Sequence, residues 1–321
     1  MGENLVDFDT PWKDVIEGYF SEFIAFFFPD AYAEIDWQHG HEFLDKEFQQ
    51  IIRESEFGRR YVDKLVKVWT LHAEERWVLV HIEVQSHQDA DFAERMYIYS
   101  NRIYDRYARP VASLAVFTDE SPRWQPDRFE YTLWGCHVLL EFPSVKLIQY
   151  RDQEQELENS DNPFAVVVLA HLRTMASRKN ADLRLQWKLE LCRSLFRRGY
   201  IRQEVIDLLR FIDWVMALPK ELDNQFWITL QHFEEVQTMP YITSFERNAI
   251  QRGHTEGLQQ GLQQGLRKSI LTLLMFRFGV LTEAVTEKIA AIHSAEQLEQ
   301  VMALALKSES LEAFVRQLPN T

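Results

Sequence analysis

The sequence predicts an α+β protein with an α/β core followed by an all-helical second half, and three observations predict it. β-rich runs are confined to the first half of the chain, one helical stretch interrupts them, and from Pro163 onward strand signals give way to helical periodicity.

The elements follow in order. Thr10-Pro11 sets a cap residue before a first-turn proline, and Trp12, Val15, Ile16, Tyr19 and Phe23 then recur at helical spacing, so a helix with one apolar face opens the chain. Residues 61–70 and 77–85 read as strands, residues 89–108 as a helix and residues 111–118 as a third strand. Residues 137–142 and 145–150 are expected to add edge strands, with residues 151–162 as an acidic connector. Helical patterns cover residues 183–199 and 204–218, the latter stopped by Pro219. Gly253, Gly257, Gly261 and Gly265 recur at four-residue spacing, and residues 270–314 read as a small helical module in which Leu271, Leu274 and Phe278 precede Gly279. The expected organisation is a core over 1–160, a helical scaffold over 161–245, a linker or association helix over 246–268 and a helical module over 269–321.

Composition limits the functional classes. With 46% hydrophobic residues the chain can fill a real core, and no run reaches the roughly 18 to 20 apolar residues of a spanning helix. The N-terminus lacks the basic region of a secretory signal, so the expectation is a cytoplasmic protein without membrane contact. Cys136 and Cys192 are the two cysteines, too few for a disulfide framework or a cysteine zinc site. A formal charge of −14 argues against broad coating of DNA and confines any nucleic-acid contact to a local patch.

The candidate chemistry lies on the two paired strands. In residues 77–85 the even positions Val78, Val80, Ile82 and Val84 are apolar, whereas the odd face turns polar at His81, Glu83 and Gln85. A hairpin pairing Thr70 with Arg76 sets Asp63 directly across from Glu83, where two carboxylates repel unless something compensates. A divalent cation is one answer, with magnesium the economical choice and manganese a substitute; a solvated sheet edge is the other. Gln85 would then orient a water or a phosphate oxygen, and His81 and His87 extend the possible ligand set. On the following helix Arg95, Arg102, Arg106 and Arg109 share a line at helical spacing, a candidate contact to the DNA backbone or an ordinary solvated face. The glycine repeat, too polar for lipid, is a candidate for self-association or a spacer.

Several motifs resemble the PD-(D/E)XK nuclease superfamily and, within it, the recombination-promoting nuclease and transposase-like family. They are Asp9-Thr-Pro-Trp-Lys13 with Glu17, Tyr61-Val-Asp63-Lys-Leu-Val-Lys67, His81-Ile-Glu83-Val-Gln85 and Phe92-Ala-Glu-Arg95-Met-Tyr-Ile-Tyr99. Asn162-Pro-Phe-Ala165, Asp213-Trp-Val-Met-Ala-Leu-Pro219 and the glycine repeat extend the resemblance over nearly the whole chain. It implies a restriction-endonuclease-like mixed sheet flanked by helices, with Asp63 and Glu83 holding magnesium and DNA as substrate. The superfamily pattern ends in lysine where this chain has Gln85; Lys67, on the same strand face as Asp63, is the candidate stand-in, and Glu17 a further candidate ligand. The implied activity is a magnesium-dependent DNA endonuclease, the alternative a nuclease-fold DNA-binding or protein-interaction module without catalysis.

Overall fold

The computed structural model describes residues 9–45, 48, 62–71, 77–236, 263, 265–267, 269–279, 281, 283–290, 292, 294–308 and 310–318. Phe8–Thr243 forms one compact unit, and the chain from Ser244 belongs to a second. Most of the glycine repeat and of the 246–268 linker lies outside the described residues.

The first unit is built on a mixed five-stranded sheet, β1 (His41–Phe43), β2 (Val62–Trp69), β3 (Trp77–Gln85), β4 (Val111–Phe117) and β7 (Ser144–Lys146), in the order β1-β2-β3-β4-β7. The first three strands are antiparallel, and β3, β4 and β7 run parallel. Parallel strands need a long crossover, and α4 (Phe92–Tyr107) provides it between β3 and β4. Its apolar stripe of Phe92, Met96, Tyr99 and Ile103 covers the sheet face that carries Leu65, Leu79, Ala115 and Phe117. The stripe follows the 3.6-residue period and the strands the two-residue period, so the two patterns mesh into one core layer.

The opposite face is lined by Val66, Val68, Val80, Ile82 and Val84 and packs toward α1 (Asp9–Gly18). The single opening helix of the sequence expectation is two helices, because the chain breaks at Tyr19 before α2 (Phe20–Phe27) and α3 (Pro29–Glu34). The expected edge strand over 137–142 is β6 (Cys136–Glu141), which pairs with β5 (Arg128–Leu133) in a separate two-stranded sheet. Of residues 145–150 the first two close the main sheet in β7, and Leu147–Gln153 forms a 3-10 helix. The acidic connector contains α5 (Glu154–Asn159).

The helical half is continuous with this sheet. In α6 (Pro163–Ala176) residues Pro163 to Arg173 are buried on every side, with Asn162 capping the Phe164 amide at 2.9 Å and Pro163 at the first position. Against it pack α7 (Ala181–Arg197) and α8 (Arg202–Val215), and α9 (Lys220–Val236) packs against α7. Trp12 of α1 packs edge-on against Phe211 of α8 at 5.6 Å, and Phe23 of α2 against Phe164 at 5.2 Å, so the N-terminal helices join sheet to bundle.

The second unit has its own core, in which Ile270 and Leu274 pack with α10 (Glu283–Ala290), α11 (Ala295–Lys307) and α12 (Leu311–Gln317). Arg277 donates to the carbonyls of Leu306 and Ser308 at 2.7 and 2.9 Å, closing the C-terminal end of α11. No helix among the described residues is long and apolar enough to cross a membrane.

The bundle also holds a buried ion pair, Lys188 Nζ to Asp213 Oδ1 at 2.7 Å, with Phe226 stacked 4.3 Å from the ammonium. Breaking such a pair from one side leaves an uncompensated charge in the core. Lys188→Met is therefore expected to lower the unfolding free energy by about 3–5 kcal/mol, and Lys188→Met with Asp213→Leu to recover most of the loss; urea denaturation of both variants checks it.

Candidate functional site

β3 is buried on both faces, and its odd face carries Leu79, His81, Glu83 and Gln85 without any exposed surface at these four residues. The register sets Asp63 opposite Glu83 and Leu65 opposite His81. The backbone thus places two carboxyl-bearing residues on neighbouring strands of the face that α4 covers; the side chain of Asp63 lies outside the described residues.

Glu83 is held from the helix. Arg95, also buried, donates to Glu83 Oε1 through Nε at 3.2 Å and through Nη2 at 2.5 Å. Its Nη1 donates to Asp89 Oδ2 at 2.5 Å, so one guanidinium ties the strand to the loop that precedes α4. Nη2 also lies 3.4 Å from Gln85 Oε1. The other carboxylate oxygen, Glu83 Oε2, is buried and has no hydrogen-bond partner among the described residues. Burial pushes the Glu83 carboxyl above the usual carboxylate range, and the Arg95 charge and hydrogen bonds pull it back only in part.

Gln85 is committed at both ends of its amide, with Nε2 donating to the His87 carbonyl at 2.7 Å and Oε1 facing Arg95. Its backbone carbonyl accepts from the Thr118 amide at 2.8 Å, beyond the end of β4. His81 is enclosed by rings, 5.2 Å from Phe48 and 5.9 Å from Tyr99, and neither ring nitrogen finds a partner among the described residues. Burial, with a smaller contribution from the Arg95 charge, drives its pKa down to about 3, so the imidazole is neutral.

The remaining sequence candidates sit elsewhere. Glu17 accepts from Lys64 Nζ at 2.8 Å, and Lys64 also pairs with Asp45. Lys64 alternates with Asp63, so Glu17 is on the opposite face of the sheet from Glu83. Lys67 shares the Asp63 face but is paired with Leu79, about 13 Å along the strand from the Asp63–Glu83 pair, and its ammonium reaches Glu42 at 3.5 Å and the Trp69 ring at 4.9 Å. Arg95, expected on the surface as a phosphate contact, is instead inside: the buried carboxylate of Glu83 draws the nearest cation on α4 inward. Arg102 is half-buried and Arg106 exposed farther along the helix. His87 is half-buried in the loop, where its carbonyl serves Gln85.

Sequence reading missed the acids that complete these networks. Asp89 was legible only as a residue near a helix start. Asp119 and the fully buried Lys146 pair at 2.6 Å, with Lys146 also donating to the Trp124 carbonyl at 2.6 Å. Nothing in their sequence spacing announces that pair, because it is made by strand order. Among the described residues no group of three or more His, Cys, Asp and Glu side chains could hold a metal ion; the Asp63 carboxyl is not in that set. No family model, no curated protein and no solved structure matches the chain.

A carboxyl whose folded pKa lies above its unfolded value destabilises the fold once it ionises, and this cost is absent below the unfolded pKa, where both states are protonated. Glu83→Gln is accordingly expected to melt higher than the parent at neutral pH, with the difference shrinking as pH falls through the Glu83 pKa toward 4.5, the ordinary value for glutamate. Parallel thermal melts across that range check the sign, and a variant that melts lower at pH 7 contradicts it.

Proposed function

We propose that the chain is a magnesium-dependent DNA endonuclease with a restriction-endonuclease-like core of the PD-(D/E)XK kind. The observation that carries the reading is the register that sets Asp63 against Glu83, together with a buried Glu83 oxygen that meets no donor. An ionised carboxylate in that position calls for a second positive charge besides Arg95, and a divalent cation held by Asp63 and Glu83 Oε2 is the fitting group. Bound there, magnesium or manganese supplies the positive charge that polarises a phosphodiester and acidifies water.

The chain's own residues prepare the site. Arg95 fixes one oxygen of Glu83 and leaves the other for the cation. Asp89 holds the guanidinium in turn, so the carboxylate is aimed before substrate arrives. Farther along α4, Arg102 and Arg106 offer guanidinium groups of the kind that bind DNA phosphates, which suits an acidic chain limited to a local contact.

A second reading, a nuclease-fold module that binds DNA or protein without cleaving, is favoured by one observation. Gln85 stands where a lysine would provide charge, and its amide is already tied to His87 and Arg95.

Supercoiled plasmid separates the two readings. The endonuclease is expected to nick it with magnesium and not with chelator, and Asp63→Asn or Glu83→Gln to cut the rate at least about a hundredfold, about 2.7 kcal/mol of barrier. Absence of nicking in the parent, or full nicking in both variants, overturns the enzyme; retention of plasmid in a low-salt gel shift then supports the binding module.

A further inference from the structure

We propose that His81 contributes a nitrogen ligand to the cation of the Asp63–Glu83 site, making it a mixed imidazole–carboxylate site suited to a transition cation such as manganese rather than to magnesium alone. The inference rests on the metal-dependent reading above and specifies the class of cation that the site takes.

His81 and Glu83 are two residues apart on β3 and so face the same side of the sheet, both with no exposed surface. Both carry polar atoms that no described residue satisfies, the two ring nitrogens of His81 and Oε2 of Glu83. Around His81 stand the rings of Phe48 and Tyr99, Leu65 across one strand pair and Ser113 across the other, its buried hydroxyl likewise without a partner among the described residues. A buried polar group left without a partner is destabilising, and phenylalanine at this position would keep the ring packing without that cost. A histidine is therefore the wrong residue for a purely structural role here.

A metal ion accounts for Glu83 Oε2 and one of the two His81 ring nitrogens together. Same-face neighbours on a strand are about 6.5–7 Å apart at the backbone, a span that an imidazole and a carboxylate can close onto one ion. Asp63 stands opposite Glu83 in the register of the neighbouring strand. Arg95 does not compete for these atoms, since its hydrogen bonds to Glu83 go to Oε1. Oxygen donors alone suit magnesium and manganese alike, whereas an imidazole among them raises the affinity for divalent transition metals over magnesium, least for manganese and more for the later ones. The remaining histidine candidate, His87, lies in the loop after β3 and is not needed for the set.

The test loads the full chain with manganese and reads the ion directly. Pulsed electron paramagnetic resonance of the parent is expected to show nitrogen modulation from a coordinated imidazole, and His81→Phe to lose it. Calorimetry is expected to show manganese affinity falling at least about tenfold in His81→Phe, the loss that follows even from removing a ligand's supporting group, with magnesium affinity little changed. The variant keeps its aromatic packing, and a parent spectrum without nitrogen modulation is by itself enough to overturn the inference. Manganese bound through Asp63 and Glu83 without nitrogen modulation, or modulation that survives His81→Phe, overturns the inference and leaves the endonuclease reading standing. Manganese that does not bind the parent at all overturns the inference, and plasmid nicking in magnesium then reports separately on the endonuclease.

Discussion

The organising constraint in this molecule is a carboxylate placed on a strand that has no exposed side. β3 lies between neighbours on both edges and is covered on both faces, so Glu83 has no access to bulk water to offset its charge. Moving an isolated carboxylate into such a place costs several kcal/mol after relaxation, and the chain offsets that cost with a guanidinium from α4. Arg95 in turn needs Asp89, so the pair becomes a triad that fixes the loop between β3 and α4. The triad still carries one more negative than positive charge when all three groups are ionised, and Asp63 adds a further carboxyl across the ladder.

Much of this was legible in the sequence, for a definite reason. Strand parity is fixed by a period of two, so the shared face of Asp63, Leu65, Glu83 and Gln85 followed once the two runs were identified. The hairpin register followed as well, since an error of one residue would have turned the acids to opposite faces. The position of Arg95 was less legible because helical periodicity gives the angle of a side chain around the axis and says nothing of how far it folds back. Arg95 adjoins Met96 in the buried stripe, and a long side chain at the border of a stripe can turn either way. Glu17 illustrates a different limit. Its face could be known only from the packing of α1 against β2, where Lys64 claims it.

Two strands depart from the sequence reading, one passed over and one shorter than expected. β5 alternates Arg128, Phe129, Glu130, Tyr131 and Thr132 without a buried face, since it pairs only with β6 and leaves both sides of the hairpin largely exposed. The alternation by which strands are recognised is present in it, Phe129, Tyr131 and Leu133 against Arg128, Glu130 and Thr132, yet the sequence reading does not include this run among the strands. The main sheet closes with the three residues of β7, shorter than the 145–150 run read as an edge strand, yet enough to bring Lys146 beside the end of β4. The buried Lys146–Asp119 pair thus depends on strand order, a property of the fold and not of any local pattern.

The site is also less separable from the helical half than a division into core and scaffold implies. His171, buried in α6, donates through its ring to the Thr118 carbonyl at 2.8 Å, and the Thr118 amide donates to the carbonyl of Gln85 at 2.8 Å. A short line of hydrogen bonds therefore runs from the most buried helix of the bundle to the end of the strand that carries Glu83. Since Gln85 then passes its own amide to His87, the turn that leads to Asp89 and Arg95 is set partly by the bundle. The end of a central strand positioned in this way can hold an unsatisfied carboxylate in place, because two packed layers fix it and not one loop.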